Sequence, residues 1–262
     1  MREDSGWLMK RYRKILRCLG AVLLSALLLG IAFVIVGSSE ADIASDHAIN
    51  TNTIAVRLTM PASSGETNTL NPDPPSEAVK LVFIHHSCGD NWLSNWSGGL
   101  GTALGDNNYY VSDTYYGWGP ADADLGYGTI GDHTDIGHWY NWFVGPHRDT
   151  YLNALYATTN RNADYSRPMA DPGGENEIIM FKSCYPNSNL LGNPDDPPTS
   201  GDNPLRGEGC WSEHHTVSNA KGIYNDLLEY FQTRQDKLFV VITAPPVQDG
   251  TCLLYTSPSP RD

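Results

Sequence analysis

Positive charge is scarce over most of this 262-residue chain. Of its 17 Lys and Arg residues, six fall within the first 41 positions; the remaining eleven face 27 Asp and Glu. A body of net charge −16 offers no basic footprint for phosphates, which excludes nucleic acid as a partner. No internal repeat is present, so repeat architectures are excluded too. The paired metal motif His-Glu-x-x-His is missing. Cysteine is sparse: Cys18 lies in an apolar run and Cys252 near the end, leaving Cys88, Cys184 and Cys210 in the body. Charged residues are only 18% and apolar residues 40%, so the chain is not a disordered polyampholyte.

What is present begins with a basic head. Lys10, Arg11, Arg13, Lys14 and Arg17 precede Cys18–Gly37, 20 residues without a charge. At 1.5 Å per residue, a helix of that length covers roughly 30 Å, the hydrocarbon thickness of a membrane. Cations on its N-terminal side predict that the rest of the chain is exported. Residues 1–41 are read either as a signal peptide cut after Ala41, where Ser39-Glu40-Ala41 fits small–x–small, or as a signal anchor retained in the membrane. Residues 42–78, rich in Ser, Thr, Asn and Pro, read as a flexible tether. At the other end, Leu253–Asp262 (LLYTSPSPRD) resembles translated adapter read-through, so residues 251–262 are expected to be a non-native tail, with the natural chain continuing past Gln248.

Residues 79–250 alternate strand and helix signals. Lys80–Ile84, Glu177–Phe181 and Leu238–Thr243 are short, largely apolar runs of the kind buried in a parallel sheet, and Tyr109–Thr114 (YYVSDT) reads as a further strand. Asn91–Leu104 has near-helical apolar spacing, interrupted by Gly98-Gly99. Thr216–Thr233 is the clearest helix, with Ile223, Leu227, Tyr230 and Phe231 on one face and Thr216 or Ser218 as cap. The expected fold is a three-layer α/β arrangement around a mostly parallel sheet. Residues 115–148, with Trp118, Trp139, Trp142 and several Tyr, and the Asn/Pro-rich 184–215, read as long loops at a ligand mouth beyond the strand ends.

Three segments follow strand ends. Ser87, in His85-His86-Ser87-Cys88-Gly89, sits at a strand-to-helix turn that can expose a hydroxyl; the same residue can also simply cap the helix. Gly117 and Gly119 follow the second strand and can bring a backbone N–H to a ligand. Asn187 and Asn189, after the third, can donate a side-chain N–H or simply form a turn. Gly222–Asp226 contains Asn-Asp but lies inside the amphipathic helix, so Asn225 reads as a surface residue.

At these three segments the chain resembles the SGNH, or GDSL-type, hydrolases. The resemblance spans residues 79–248 and implies an SGNH or flavodoxin-like sheet, incomplete at its C-terminus. It implies Ser87 as nucleophile, with Gly119 and Asn187 in the oxyanion hole. His85-His86-Ser87 stands where the family has Gly-Asp-Ser, the Gly-x-Asn-Asp signature is absent, and so is the late Asp-x-x-His block. The implied activity is that of an exported serine esterase acting on acyl esters, with carbohydrate esters suggested by the aromatic loops and no cofactor. A non-catalytic envelope module that binds glycan is the alternative from another class. A metal-dependent hydrolase is the third: His133-x-Asp135-x-x-His138, His214-His215 and His85-His86 contain suitable ligand types, but no tight motif, and no metal is expected.

Around Ser87, strand alternation turns His86 away and leaves His85 on the same side, one pair back towards the buried end. Both are candidates to orient the Ser87 loop. Cys88 is a competing nucleophile. Outside the cytoplasm, Cys184–Cys210 is the expected disulfide, although spacing does not determine connectivity.

Overall fold

A computed structural model describes residues 73–243 and the backbone of residues 33–36. Strand β1 (Phe33–Val36) runs antiparallel along the edge of a sheet otherwise built from β2 (Val79–Ile84), β3 (Tyr109–Thr114), β4 (Ile178–Lys182) and β5 (Leu238–Ile242). The order is β1-β5-β4-β2-β3, and the four strands of the body are mutually parallel. Each lies within a residue or two of its expected position. β1 falls at the end of the apolar run. The rest of the export segment, the tether and the C-terminal tail lie outside the described residues. Among the described residues, no helix is long and apolar enough to cross a membrane.

The sheet is buried on both faces, which is why β2, β4 and β5 read as largely apolar runs, while β3 buries Ser112, Asp113 and Thr114 as well. Val82, Ile84, Ile179, Phe181, Phe239 and Val241 face one layer. That layer is formed by α3 (His138–Phe143), α4 (Arg148–Ala157) and α5 (Val217–Thr233). Leu81, Phe83, Val111, Met180, Val240 and Ile242 face the other. There α1 (Cys88–Leu93), α2 (Leu100–Asp106) and the chain around Ala163–Tyr165 cover them. α5 starts as expected: Thr216 Oγ1 accepts the Asn219 N–H.

Two expectations are corrected. The helix over Asn91–Leu104 is two helices, because Gly99 takes the left-handed conformation at φ 67° and starts α2 afresh. The chain doubles back so tightly that a Cβ on Gly98 would meet the Trp92 carbonyl at 2.5 Å. Residues 115–148 are not all loop: a 3-10 turn (Ile130–Asp132) and α3 lie within them. Trp139, Trp142 and Phe143 are wholly buried against Phe181, Phe231 and Phe239, and Trp118 stacks on Trp142. These tryptophans serve the core and not a ligand mouth. Trp139 is fixed further by its indole N–H, which donates to Ser183 Oγ at 2.8 Å.

Candidate active site

In the strand order, the chain moves from β2 to one side (β3) and then to the other (β4). The topological switch point therefore lies between β2 and β4, and the crevice beyond their carboxyl ends is where ligands bind in such sheets. Residues 85–88 and 183–187 emerge there. The expected segments thus reach one edge of the sheet, and the structure shows how each is held.

Ser87 stands at the N-cap position of α1, yet its side chain caps nothing. Its carbonyl accepts the Asp90 N–H at 2.9 Å, so the backbone alone makes the turn. The conformation is unusual for a side-chain-bearing residue: φ 34°, ψ −94°. A second residue makes this turn possible. His85 lies so close to Gly89 that a Cβ there would be 2.3 Å from the His85 Cβ. Tyr115 closes the elbow from the β3 side. Burial raises its pKa, the Asp90 charge adds to that, and a hydrogen bond from the Ser87 N–H works in the opposite direction.

The two histidines before Ser87 face opposite layers, as strand alternation requires. His85 is buried beside Phe83, and its Nε2 lies 3.0 Å from Asp113 Oδ2. That carboxylate is saturated: the Ala163 N–H also reaches Oδ2, while the Asn162 N–H and the Tyr165 hydroxyl donate to Oδ1. With Nε2–H donating to a carboxylate, the neutral form of His85 leaves Nδ1 as a bare lone pair. It is buried and has no hydrogen-bond partner. His86 differs. Its Nε2–H donates to the Gly131 carbonyl at 2.6 Å, so Nδ1 accepts the Thr134 hydroxyl at 3.0 Å, and Tyr116 stacks on the ring at 3.7 Å. Burial pushes its pKa down to about 4, outweighing the Gly131 hydrogen bond. Both nitrogens are committed and the ring is neutral.

Asn187 is buried, and its amide is fully used. Oδ1 accepts the Ile136 N–H at 2.8 Å; Nδ2 donates to Asp135 Oδ1 at 2.6 Å and to the Cys184 carbonyl at 3.2 Å. Neither amide hydrogen is free for an oxyanion in this arrangement. The Gly117 N–H is likewise taken, by Asp132 Oδ1 at 2.8 Å. Gly119, at φ 87°, packs so closely on Ile130 that a Cβ would lie 3.0 Å from its methyl. Of the two glycines, Gly119 is the one whose N–H has no such carboxylate partner.

One segment joins all three motifs; the sequence singled out only its His133, Asp135 and His138, as metal-ligand types, and not this linking role. Gly131 and Thr134 hold His86; Asp132 and Gly131 hold the 117–118 turn, the latter through its N–H to the Trp118 carbonyl; Asp135 and Ile136 hold Asn187. Asp135 also accepts the Cys210 N–H at 2.8 Å, drawing in the 184–215 excursion. Burial opposes the Asp135 charge, but nearby His138 together with the Asn187 and Cys210 hydrogen bonds brings its carboxyl below the usual range. The available signal was density: Gly131–His138 packs two Asp, two His and a Thr into eight residues.

The metal-ligand candidates are placed otherwise. His133 and His138 meet edge to face at 5.2 Å, His133 lies 2.7 Å from Asp122, and His138 Nδ1 accepts the Asp135 N–H. Among the described residues, no group of three or more His, Cys, Asp and Glu is placed to hold a metal ion. His214 lies towards the surface beside Glu213, and His215 contacts the Asn189 carbonyl through Nδ1.

Cys88, Cys184 and Cys210 are free thiols, so the expected Cys184–Cys210 disulfide is not formed here. Burial raises both partners, Cys184 against the pull of Lys182, and Cys210 up to about 12 with Asp135 adding to the shift. Lys182 is itself buried at the end of β4, its ammonium donating to the Ser183 carbonyl at 2.9 Å and lying over Trp92. Burial lowers its pKa while the Cys88 and Cys184 thiols oppose the shift.

A comparison with protein-family models finds no match, and no curated protein or solved structure matches the chain significantly.

Proposed function

We propose that this chain is an exported serine hydrolase of SGNH type that cleaves acyl esters, with Ser87 as the nucleophile. The observation that carries the reading is the Ser87 backbone. A residue with a side chain is held at φ 34° at the switch point of a parallel sheet, in a helix-cap position whose capping bond it does not make. Such strain costs on the order of 1–3 kcal/mol and persists where the surroundings over-determine it, most often at sites of chemistry. A hydroxyl presented this way attacks an acyl carbonyl once a base removes its proton. The Gly119 N–H supplies one oxyanion donor; Asn187 supplies another only by exchanging its bond to Asp135. Export rests on the basic head and the apolar run of residues 1–41.

Carbohydrate esters suit the exposed aromatics of these loops. Tyr116 is 52% and Trp211 74% exposed; one stacks on His86 and the other follows Cys210. The same two rings support the second reading, a glycan-binding module without catalysis. A fluorophosphonate that labels activated serines separates the two. A stoichiometric adduct mapped to Ser87, absent in Ser87→Ala and retained in Cys88→Ala, is expected. An unlabelled chain, or an adduct unaffected by Ser87→Ala, would overturn the hydrolase reading and favour the binding module.

A further inference from the structure

The family resemblance places the general base in a late Asp-x-x-His block, and none of the eight histidines occupies such a position. The buried histidines divide by what their nitrogens do. His133 also meets a carboxylate, its Nδ1 lying 2.7 Å from Asp122 Oδ2, but its ring packs against Tyr127 and His138 and not against the Ser87 turn. In His86 both are committed. His138 accepts at Nδ1 from the backbone. His215 contacts the Asn189 carbonyl through Nδ1; its Nε2 is also buried without a partner, but it has no carboxylate among its hydrogen bonds. His85 combines a carboxylate at Nε2 with an unpartnered, buried lone pair at Nδ1. That nitrogen lies against the first turn of α1: a Cβ on Gly89 would be 2.8 Å from it. A buried acceptor left unsatisfied is destabilising, and the nearest hydroxyl along the chain is that of Ser87.

We infer that His85, held by Asp113, is the proton acceptor for Ser87, so that the base lies two residues before the nucleophile. The inference rests on the serine-hydrolase reading. As Ser87 Oγ bonds to the acyl carbon, its proton passes to His85 Nδ1. Asp113 stays ionised and stabilises the imidazolium through Nε2–H, while its three other donors hold the carboxylate that fixes the ring. When the tetrahedral adduct collapses, the bond to the leaving alkoxide breaks and that oxygen takes the proton from Nδ1. Water then repeats the sequence on the acyl-serine, releasing the acid and restoring the hydroxyl and the neutral ring. A buried imidazole suits this role because its charge develops only during reaction, against a carboxylate already in place.

The inference makes the 262-residue chain competent without any further histidine. Its Ser87-dependent hydrolysis of p-nitrophenyl acetate should fall by about 10³-fold or more in Asp113→Asn, because the amide no longer fixes the tautomer that leaves Nδ1 bare. His85→Gln should fall at least as far, with circular dichroism of both variants recording the fold. In the folded parent, 15N-labelled His85 should be singly protonated at Nε2. It should become doubly protonated when Ser87 carries a phosphonate, a change that a merely structural histidine would not undergo. If Ser87 labels but His85 keeps its tautomer on phosphonylation, or if His85→Gln retains the parental rate, the inference is overturned and the serine reading stands. If Ser87 neither labels nor supports hydrolysis, both fall.

Discussion

His85 and His86 are adjacent in sequence, yet they inhabit different chemical surroundings. On the side of Phe83, His85 meets a carboxylate, and a buried ammonium lies at the end of the neighbouring strand. On the side of Ile84, His86 meets a carbonyl, a hydroxyl and a phenol ring. A one-residue step along a strand crosses the sheet, so consecutive residues can be given opposite tasks. The two environments also differ in how they are assembled. The Asp113 charge is stabilised by donors from Asn162, Ala163 and Tyr165, some 50 positions away. The neutral pocket of His86 needs only Gly131 and Thr134.

The charged side should be the harder to disturb without damage. Asp113→Ala leaves four donors facing an empty space, and we expect a loss of about 3–5 kcal/mol, measured as a shift of the urea midpoint. A loss below about 1 kcal/mol would show that the carboxylate is not the organiser of that side.

The neutral side should be the acid-sensitive one. Burial lowers the pKa of His86 from 6.5 to about 4 and that of His138 likewise to about 4. Because the unfolded chain takes up these protons first, stability is intact above about pH 6.5 and falls as the pH drops towards 4. At pH 5 each ring costs on the order of 2 kcal/mol, so His86→Gln should show a visibly shallower decline between pH 7 and 5. An unchanged slope would place the titration elsewhere. Asp236, held down to about 2 chiefly by its Arg234 hydrogen bond, acts in a lower window: its contribution is present above about pH 4 and disappears towards 2. The smallest effect concerns Thr134→Val, which removes the donor to His86 Nδ1. About 1 kcal/mol is expected in the same denaturation series at pH 7, and a loss as large as that of Asp113→Ala would erase the contrast between the two sides.

Much of this frame is legible in the residues. Three of the four strand runs stand out because a doubly covered parallel strand is largely apolar, and α5 because Ile223, Leu227 and Phe231 recur at helical spacing behind a Thr cap. The opposite directions of His85 and His86 follow from alternation alone. What escapes the sequence depends on distant partners. His138–Phe143 is only six residues and almost wholly aromatic or polar, so its helical state is fixed by Trp139, Trp142 and Phe143 packing into the core. Asp113 sits in an apolar strand without a local counter-group, and its partners are found half a hundred residues later. Asn187 was legible as an amide near the site, but the Asp135 and Ile136 contacts that use up its hydrogens were not.

Position 87 has a consequence for how the chain can change. Glycine reaches φ 34° without the steric penalty borne by an L residue, roughly 1–2 kcal/mol, although it gives back about 0.5–1 kcal/mol through the freedom it gains when unfolded. Heat resistance alone therefore favours glycine at this turn. Serine is the less stable choice there, even with the neighbouring Gly89 yielding its Cβ space to His85. Selection for endurance and selection for a hydroxyl pull on the same codon in opposite directions.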